Sequence, residues 1–591
     1  MSGAPATPAR AEAGLPLLRW TRGYDRATFR RDLVAGLTVA VMLVPQSMAY
    51  ALLAGVPPIY GLYASLVPLL VYAVLGTSMH VAVGIVAIDM LIVHAGLAGL
   101  AEEFSARWVE LAILLAAMVG LVQLLMGVAR LGFLVNLLSR PTVVGFTSGA
   151  AILIALSQIG GLTGMEVERA RTLPGLIGAV TGEVGEIREI PVLLGAGSLV
   201  LMLGLRRWKA SFPAVLVVVV GATAAVALLG LSGSVEVVGR VPHGLPAPGA
   251  PSFSLEDVRA LAPSALALAF VQFLTVVSLG KVLAARHRYH VEPNRELLAV
   301  GAANALGSFF RALPVSGSFS RSSLNEESGA CTPAANAVAA AAVALALVAL
   351  TPVLRLVPIP ALAAIIVVAA LGLLDVEQIG FLWKAKSVDG GVAVLTLLAT
   401  LAFGILWGIA VGVGASLFGL LYRISRPHHA TLGHLAGTRS FRDIQRHEEA
   451  RPLEGILILR VDASFSFMNA EYVRDLILGR TENPDDPVRV VVVDASSIND
   501  LDLTAIDVLF RVARTLEERG IELHFGGVKE PVLETLERSG FYEELGGDHF
   551  FLSPHRAITH VLTGWGVSET YLQNVPGAAS PVTLVKDEVE D

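Results

Sequence analysis

Between residues 33 and 424 the chain is a succession of apolar stretches of roughly 17–22 residues, each long enough to cross a bilayer core of about 30 Å. Ile190–Leu205, Pro213–Leu231, Leu261–Gly280, Pro333–Val353 and Val392–Val411 are examples, and each predicts a membrane helix. Two segments break the pattern. Gly76–Leu91 (GTSMHVAVGIVAIDML) and Ser316–Asn325 (SGSFSRSSLN) are too short and too polar for ordinary spans. They fall third and tenth, the same place in two seven-span halves. Interrupted helices in matching places predict an inverted-repeat transporter with its substrate near the membrane midplane. Further on the period changes. Strand-like runs at Ile456–Asp462, Arg489–Ala495 and Ile521–Gly527 alternate with helical patterns, which predicts a small α/β domain.

The expected fold class is therefore an all-α polytopic membrane protein of about fourteen spans in two halves, followed by an α/β domain. The expected segments are a cytoplasmic N-terminal stretch (1–31), a transmembrane domain (32–427), a linker (428–451), the α/β domain (452–565) and a disordered tail (566–591). Composition agrees. The chain is 54% hydrophobic and 16% charged with mean hydropathy +0.67, against about 25% charged residues in soluble proteins. Arg19, Arg22, Arg26, Arg30 and Arg31 precede the first span and place the N-terminus in the cytoplasm. Later basic clusters, among them Arg206, Arg207 and Lys209, alternate with acidic or neutral connections and place both termini inside. No signal peptide of usual layout is expected ahead of Leu33, and a single cysteine, Cys331, excludes an internal disulfide.

The tenth segment carries the chemistry. Pro314–Asn325 holds five serines and Arg321 just ahead of the apolar run Ala334–Leu350. Serine and glycine also serve close helix packing in membranes, but packing does not account for a cation and the preceding proline. The run looks like the start of a short helix with free amides, and helix N-termini bind anions. Two such starts facing each other suit a small anion that must exchange its hydration shell for donors. The chain has no P-loop, HExxH or GxSxG, so no enzyme is expected. His428 and His429 lack companion ligands at zinc spacing, so neither metal nor cofactor is expected, and no nucleic-acid partner is.

Asp32–Ser65 (DLVAGLTVAVMLVPQSMAYALLAGVPPIYGLYAS) resembles the first hairpin of the sulfate permease (SulP) family. The likeness continues through Asn294–Thr332, Leu382–Gly390 and Tyr422–Gly433. It implies a seven-plus-seven inverted repeat split into core and gate domains, moving anions by an elevator-like displacement, usually as a homodimer in membrane lipid. A bacterial inner-membrane protein is expected. The anion would be sulfate first, then bicarbonate or a dicarboxylate, with coupling to protons or sodium, and a chloride-conducting channel is the alternative. Carried over by motif, PQSMAY places Gln46 and Tyr50 at the site. HVAVGIVA places Gly84, Ile85 and Val86 there, and SGSFSRS places Ser318, Phe319, Ser320 and Arg321 there.

Two departures matter. Ile85 stands where many relatives have proline. Many bacterial relatives carry a coupling glutamate in the eighth helix, where this chain has Thr275, with Gln272 one turn earlier. Threonine carries no proton, so Asp89 becomes the candidate coupling carboxylate, with Glu326 and Glu327 behind it. In the tail, Val491–Leu509 (VVVDASSINDLDLTAIDVL) resembles the STAS domain of anti-sigma factor antagonists. The serine phosphorylated there is replaced by Leu503, so assembly or regulation by a cytoplasmic partner is expected instead of a phosphoryl switch.

Overall fold

The computed structural model describes residues 20–21, 23–136, 139–167, 170, 172–208, 213–239, 244–483 and 487–567. Residues 1–19, Arg22, Lys209 and 568–591 lie outside the described residues, and with them most of the expected segments 1–31 and 566–591. The chain divides into two compact units, Met1–Ser416 and Leu417–Asp591.

The first unit is helical. α1 (Arg26–Leu53) starts at Asp25, whose carboxylate accepts from the Thr28 amide at 2.8 Å. Then come α2 (Val67–Leu75), the two-residue strand β1 (Val83–Gly84) and the short helix α3 (Ala87–Leu97). α4 (Ala106–Val128), α5 (Arg140–Ser157), α6 (Glu189–Trp208) and α7 (Ala214–Leu228) complete the first half. The second half repeats the order: a long α8 (Leu255–His287), α9 (Pro293–Ser308), strand β2 (Ser316–Gly317) and a short α10 (Phe319–Glu327). α11 (Ala334–Ala349), α12 (Ile359–Leu371), α13 (Ser387–Phe403) and α14 (Ile405–Ser425) follow. Among the described residues seven helices are long and apolar enough to cross a membrane alone: α1, α4, α6, α8, α14, and α5 and α12 with their extensions to Thr163 and Ala385.

Helix packing carries the repeat as well. α4 packs on α9 as α11 packs on α2, and α4 on α8 as α11 on α1. Likewise α3 packs on α8 as α10 on α1, and α5 on α13 as α12 on α6. Each pair turns into its counterpart when every helix is exchanged for the one seven places along. Small residues set the approach. A Cβ on Gly120 of α4 would collide with the Ala305 nitrogen of α9.

One sequence expectation fails here. Val392–Val411 is not a single span, because α13 ends at Phe403 and α14 begins at Ile405. Gly404 between them sits at φ +87°, a left-handed conformation that breaks the helix. Both flanks are apolar, so hydropathy runs straight across the break.

The second unit is an α/β sandwich. Its elements are β3 (His429–Leu435), β4 (Phe441–Asp443), β5 (Ala450–Arg451), β6 (Ile456–Val461), α15 (Ala470–Arg480) and β7 (Val490–Asp494). α16 (Leu503–Glu518), β8 (Glu522–Gly526), α17 (Glu530–Arg538), β9 (Phe550–Phe551) and α18 (Pro554–Gly564) follow. Strand order is β4-β3-β6-β7-β8-β9, with β5 also on β3. β6 to β9 run parallel and β3 runs antiparallel to β6. Alternate residues serve two cores. Leu457, Leu459, Val491 and Val493 join residues of α15, α16 and α17, while Ile456, Ile458, Val490 and Val492 join α18. Residues 428–451, expected as a linker, thus contribute three strands to the sheet.

Candidate functional site

Backbone at membrane depth has no water to bond, so an interrupted span must satisfy its peptide groups internally. The two interrupted segments do this by pairing with each other. β1 and β2 form an antiparallel ribbon with Val83 opposite Gly317 and Gly84 opposite Ser316. Ser318 N–H extends it by donating to the Ala82 carbonyl at 3.2 Å. Side chains strap the ribbon down. Ser322 accepts from the Ala82 amide at 2.8 Å, and the Asn336 amide donates to the Val81 carbonyl at 2.9 Å. The ribbon sets the starts of α3 and α10 side by side, and no side chain caps either start. Their first-turn amides, with the positive ends of both helix dipoles, are available to an anion.

A cavity of about 410 Å³ lies beyond these starts. Gln46 and Tyr50 of α1, Val86 and Asp89 of the α3 segment, and Ser318, Phe319 and Ser320 of the α10 segment line it, with Thr275 of α8. Arg321 is fully buried behind the lining. Its Nη1 donates to Gln46 Oε1 at 3.1 Å, and Gln46 Nε2 donates to the Tyr50 hydroxyl at 3.0 Å. Among the described residues Arg321 Nε and Nη2 have no hydrogen-bond partner. A Cβ on Gly84 would stand 3.0 Å from Nη2, so the absence of a side chain there lets the guanidinium lie against the ribbon. Gly84 and Ile85 are buried scaffold, not lining.

Asp89 Oδ2 accepts from Ser316 Oγ at 2.7 Å and from Gln272 Nε2 at 3.1 Å. Gln272 Oε1 in turn accepts from Gln123 of α4 at 3.0 Å and from Asn304 of α9 at 3.0 Å. Asn304 closes the network onto both backbone groups of Val315, just ahead of β2. Gln272 is therefore a buried support and does not face the cavity. Thr275 does face it, with its hydroxyl turned back to its own helix at Val271 O, 2.9 Å away. Among the described residues no cation forms an ion pair with Asp89, and it is the one carboxylate in the lining.

Glu326 is not brought to the site. It accepts from Arg286 at 3.2 Å and lies 2.7 Å from His287, tying the end of α10 to the end of α8. Glu327 lines an adjoining recess instead. Sequence reasoning missed the opposite wall: Thr142, Phe146 and Thr147 of α5, Arg206 of α6, and Leu373 just past α12. Hydropathy and motif carry no mark of them, since they sit in ordinary spans, and Arg206 reads as one more loop cation. Among the described residues no group of three or more His, Cys, Asp or Glu could hold a metal ion.

Comparison with known proteins places this geometry. The profile of the sulfate permease family matches residues 29–414, and that of the STAS domain matches 449–557. Sulfate transporter 4.1, chloroplastic, of Arabidopsis thaliana is 36% identical over 563 residues, covering 92% of this chain and 82% of its own. A probable sulfate transporter of Mycobacterium tuberculosis is 36% identical over 538 residues, covering 91% of this chain and 96% of its own. The murine Slc26a9 anion transporter, solved in the inward-facing state, superposes with TM-score 0.85 at 23% identity, over 95% of this chain and 96% of that one. The transmembrane domain of the cyanobacterial bicarbonate transporter BicA gives TM-score 0.57 at 20% identity, over 67% of this chain and 98% of that one.

Proposed function

Because the chain belongs to the sulfate permease family, a family of anion transporters, we propose that it is a secondary active sulfate carrier. The anion sits between the starts of α3 and α10 and is carried by an elevator-like movement of α1–α4 and α8–α11 against α5–α7 and α12–α14. The protein works in the inner membrane of a bacterium, both termini cytoplasmic, as a homodimer whose C-terminal domain takes a cytoplasmic partner.

The observation that carries the reading is the ribbon, which places two uncapped helix starts, a buried guanidinium and a lone carboxylate around one cavity. Charge accounting explains the carboxylate. Two helix dipoles supply about half a positive charge each and Arg321 supplies one more, which balances a dianion. An ionised Asp89 upsets that balance by one unit and repels the anion at short range in a poorly screened cavity. A cation taken up at Asp89 restores it, so cation and anion bind cooperatively, and each raises the affinity of the other by the same factor. Asp89 is suited to this because both its hydrogen bonds go to Oδ2, which fixes the group while Oδ1 keeps no partner among the described residues. Tyr50, Val86 and Phe319 form an apolar wall that makes desolvation part of selection.

The test is radiolabelled sulfate uptake into proteoliposomes with proton and sodium gradients imposed in turn, and bicarbonate, fumarate and chloride as competitors. Saturable uptake driven by one gradient, with the drive lost in Asp89→Asn while exchange persists, is expected. Drive that survives Asp89→Asn places coupling elsewhere. Non-saturating flux proportional to voltage makes the protein a channel, and flux carried by a competitor in place of sulfate changes the substrate.

A further inference from the structure

Two cations lie at the cavity, on different helices. Arg321 lies behind the helix starts and is held by Gln46. Arg206, near the end of α6, lines the cavity itself and is the one cationic side chain in that lining. It also lines an adjoining recess of about 400 Å³, shared with Thr38 and Met42 of α1 and with Ser320, Ser323 and Glu327 of α10. Ser320 and Ser323 likewise border both spaces, so the recess adjoins the cavity at the start of α10, where Arg206 lines both. Arg206 is half-buried, and among the described residues no carboxylate pairs with it, Glu327 included. The neighbouring Arg207 is exposed and lines neither space. Snorkelling to the membrane surface accounts for Arg207 but not for the direction of Arg206.

We propose that Arg206 is a positioning residue that draws the anion from the recess onto the helix starts, and that it acts from one face of the membrane only. The one-sidedness follows from where the two cations are built in, and it rests on the alternating-access reading above. Arg321 belongs to the helix group that holds the anion and travels with it. Arg206 belongs to the other group, so sliding one group against the other separates it from the anion. A contact made in one state and absent in the other changes apparent affinity on one face alone, and biases the loaded carrier toward that state. The face is the one toward which the C-terminal end of α6 points, cytoplasmic in the proposed topology.

The experiment measures sulfate KM in right-side-out and inside-out membrane vesicles holding the full chain, for wild type, Arg206→Gln and Arg206→Lys. Arg206→Gln is expected to raise KM from the cytoplasmic face roughly tenfold, the scale of coupling between sites, and to leave the outer face within about twofold, with Arg206→Lys restoring most of the loss. In wild type, raised ionic strength on the cytoplasmic face alone is expected to raise KM there, which tests the charge without a substitution. Equal changes on both faces, no change on either, a lysine variant no better than glutamine, or a symmetric salt effect overturns the proposal. Wild-type vesicles without saturable sulfate uptake from either face overturn the carrier reading instead, so the two failures are distinct.

Discussion

Among the described residues Arg321 is one of the largest fully buried side chains, yet only one of its guanidinium nitrogens has a partner there. Leaving a buried polar group unsatisfied costs about 1–3 kcal/mol, more for a charged one, so its retention marks a ligand requirement more than a stabilising device. Replacing it with glutamine removes the charge while keeping a donor toward Gln46. Arg321→Gln is expected to raise sulfate KM at least about tenfold from both membrane faces, which separates it from the one-sided Arg206. Thermal unfolding within a few degrees of wild type, read alongside uptake, shows that the loss is not misfolding; unchanged kinetics contradicts the assigned role. This residue was legible in the sequence, because an arginine among five serines in an oily chain costs free energy unless it faces a cavity or a ligand. Arg206 was not, because nothing in its own span distinguishes a cation that turns inward from one that turns to the surface.

At the scale of elements, the two broken spans were visible as short polar interruptions, but their pairing was not. A two-residue strand has no periodicity, and β1 and β2 lie far apart in sequence. The β3–β5 strands escaped for a related reason. The pairing of β3 with β6, which ties all three to the sheet, is long-range, and ATLGHLAG carries the glycines and mixed polarity of a linker. His434 of β3 makes that pairing testable. It is fully buried, with Nε2 2.8 Å from the Thr438 carbonyl, and Nδ1 has no partner among the described residues. Burial lowers its pKa from the ordinary 6.5. The unfolded chain therefore takes up a proton that the folded domain resists, and stability is full above pH 6.5 and falls as pH drops below it. Hydrogen exchange of the β3 and β6 amides, corrected for intrinsic rates, is expected to show protection falling from about pH 7.5 to about pH 5.5, either side of that value. His434→Gln is expected to flatten that slope, and an equal slope in the variant assigns the effect to other groups, such as the buried His524.

For the whole molecule, the reciprocal packing of helices seven places apart separates one group carrying the ribbon from another facing it across the cavity. The fold class and the order of spans were legible because hydropathy is a local signal read many times over. The division into groups was not, since it depends on which helices touch. If the groups slide, tying Ile88 of α3 to Phe146 of α5, which both line the cavity, arrests the cycle. In a Cys331→Ser background, Ile88→Cys with Phe146→Cys and a short cleavable bifunctional thiol reagent is expected to stop sulfate exchange, with reductant restoring it. Undiminished exchange after cross-linking rules out relative movement of the groups. The central claim is the seat itself, an anion held by the paired starts of α3 and α10, and it is tested most directly by the structure of the protein with selenate, a heavier analogue of sulfate. Selenate density is expected within hydrogen-bond distance of the first-turn amides of both helices beside Ser318 and Ser320, and weakened in Arg321→Gln at the same selenate concentration. Selenate bound elsewhere in a protein that transports it, with the helix starts empty, contradicts the account.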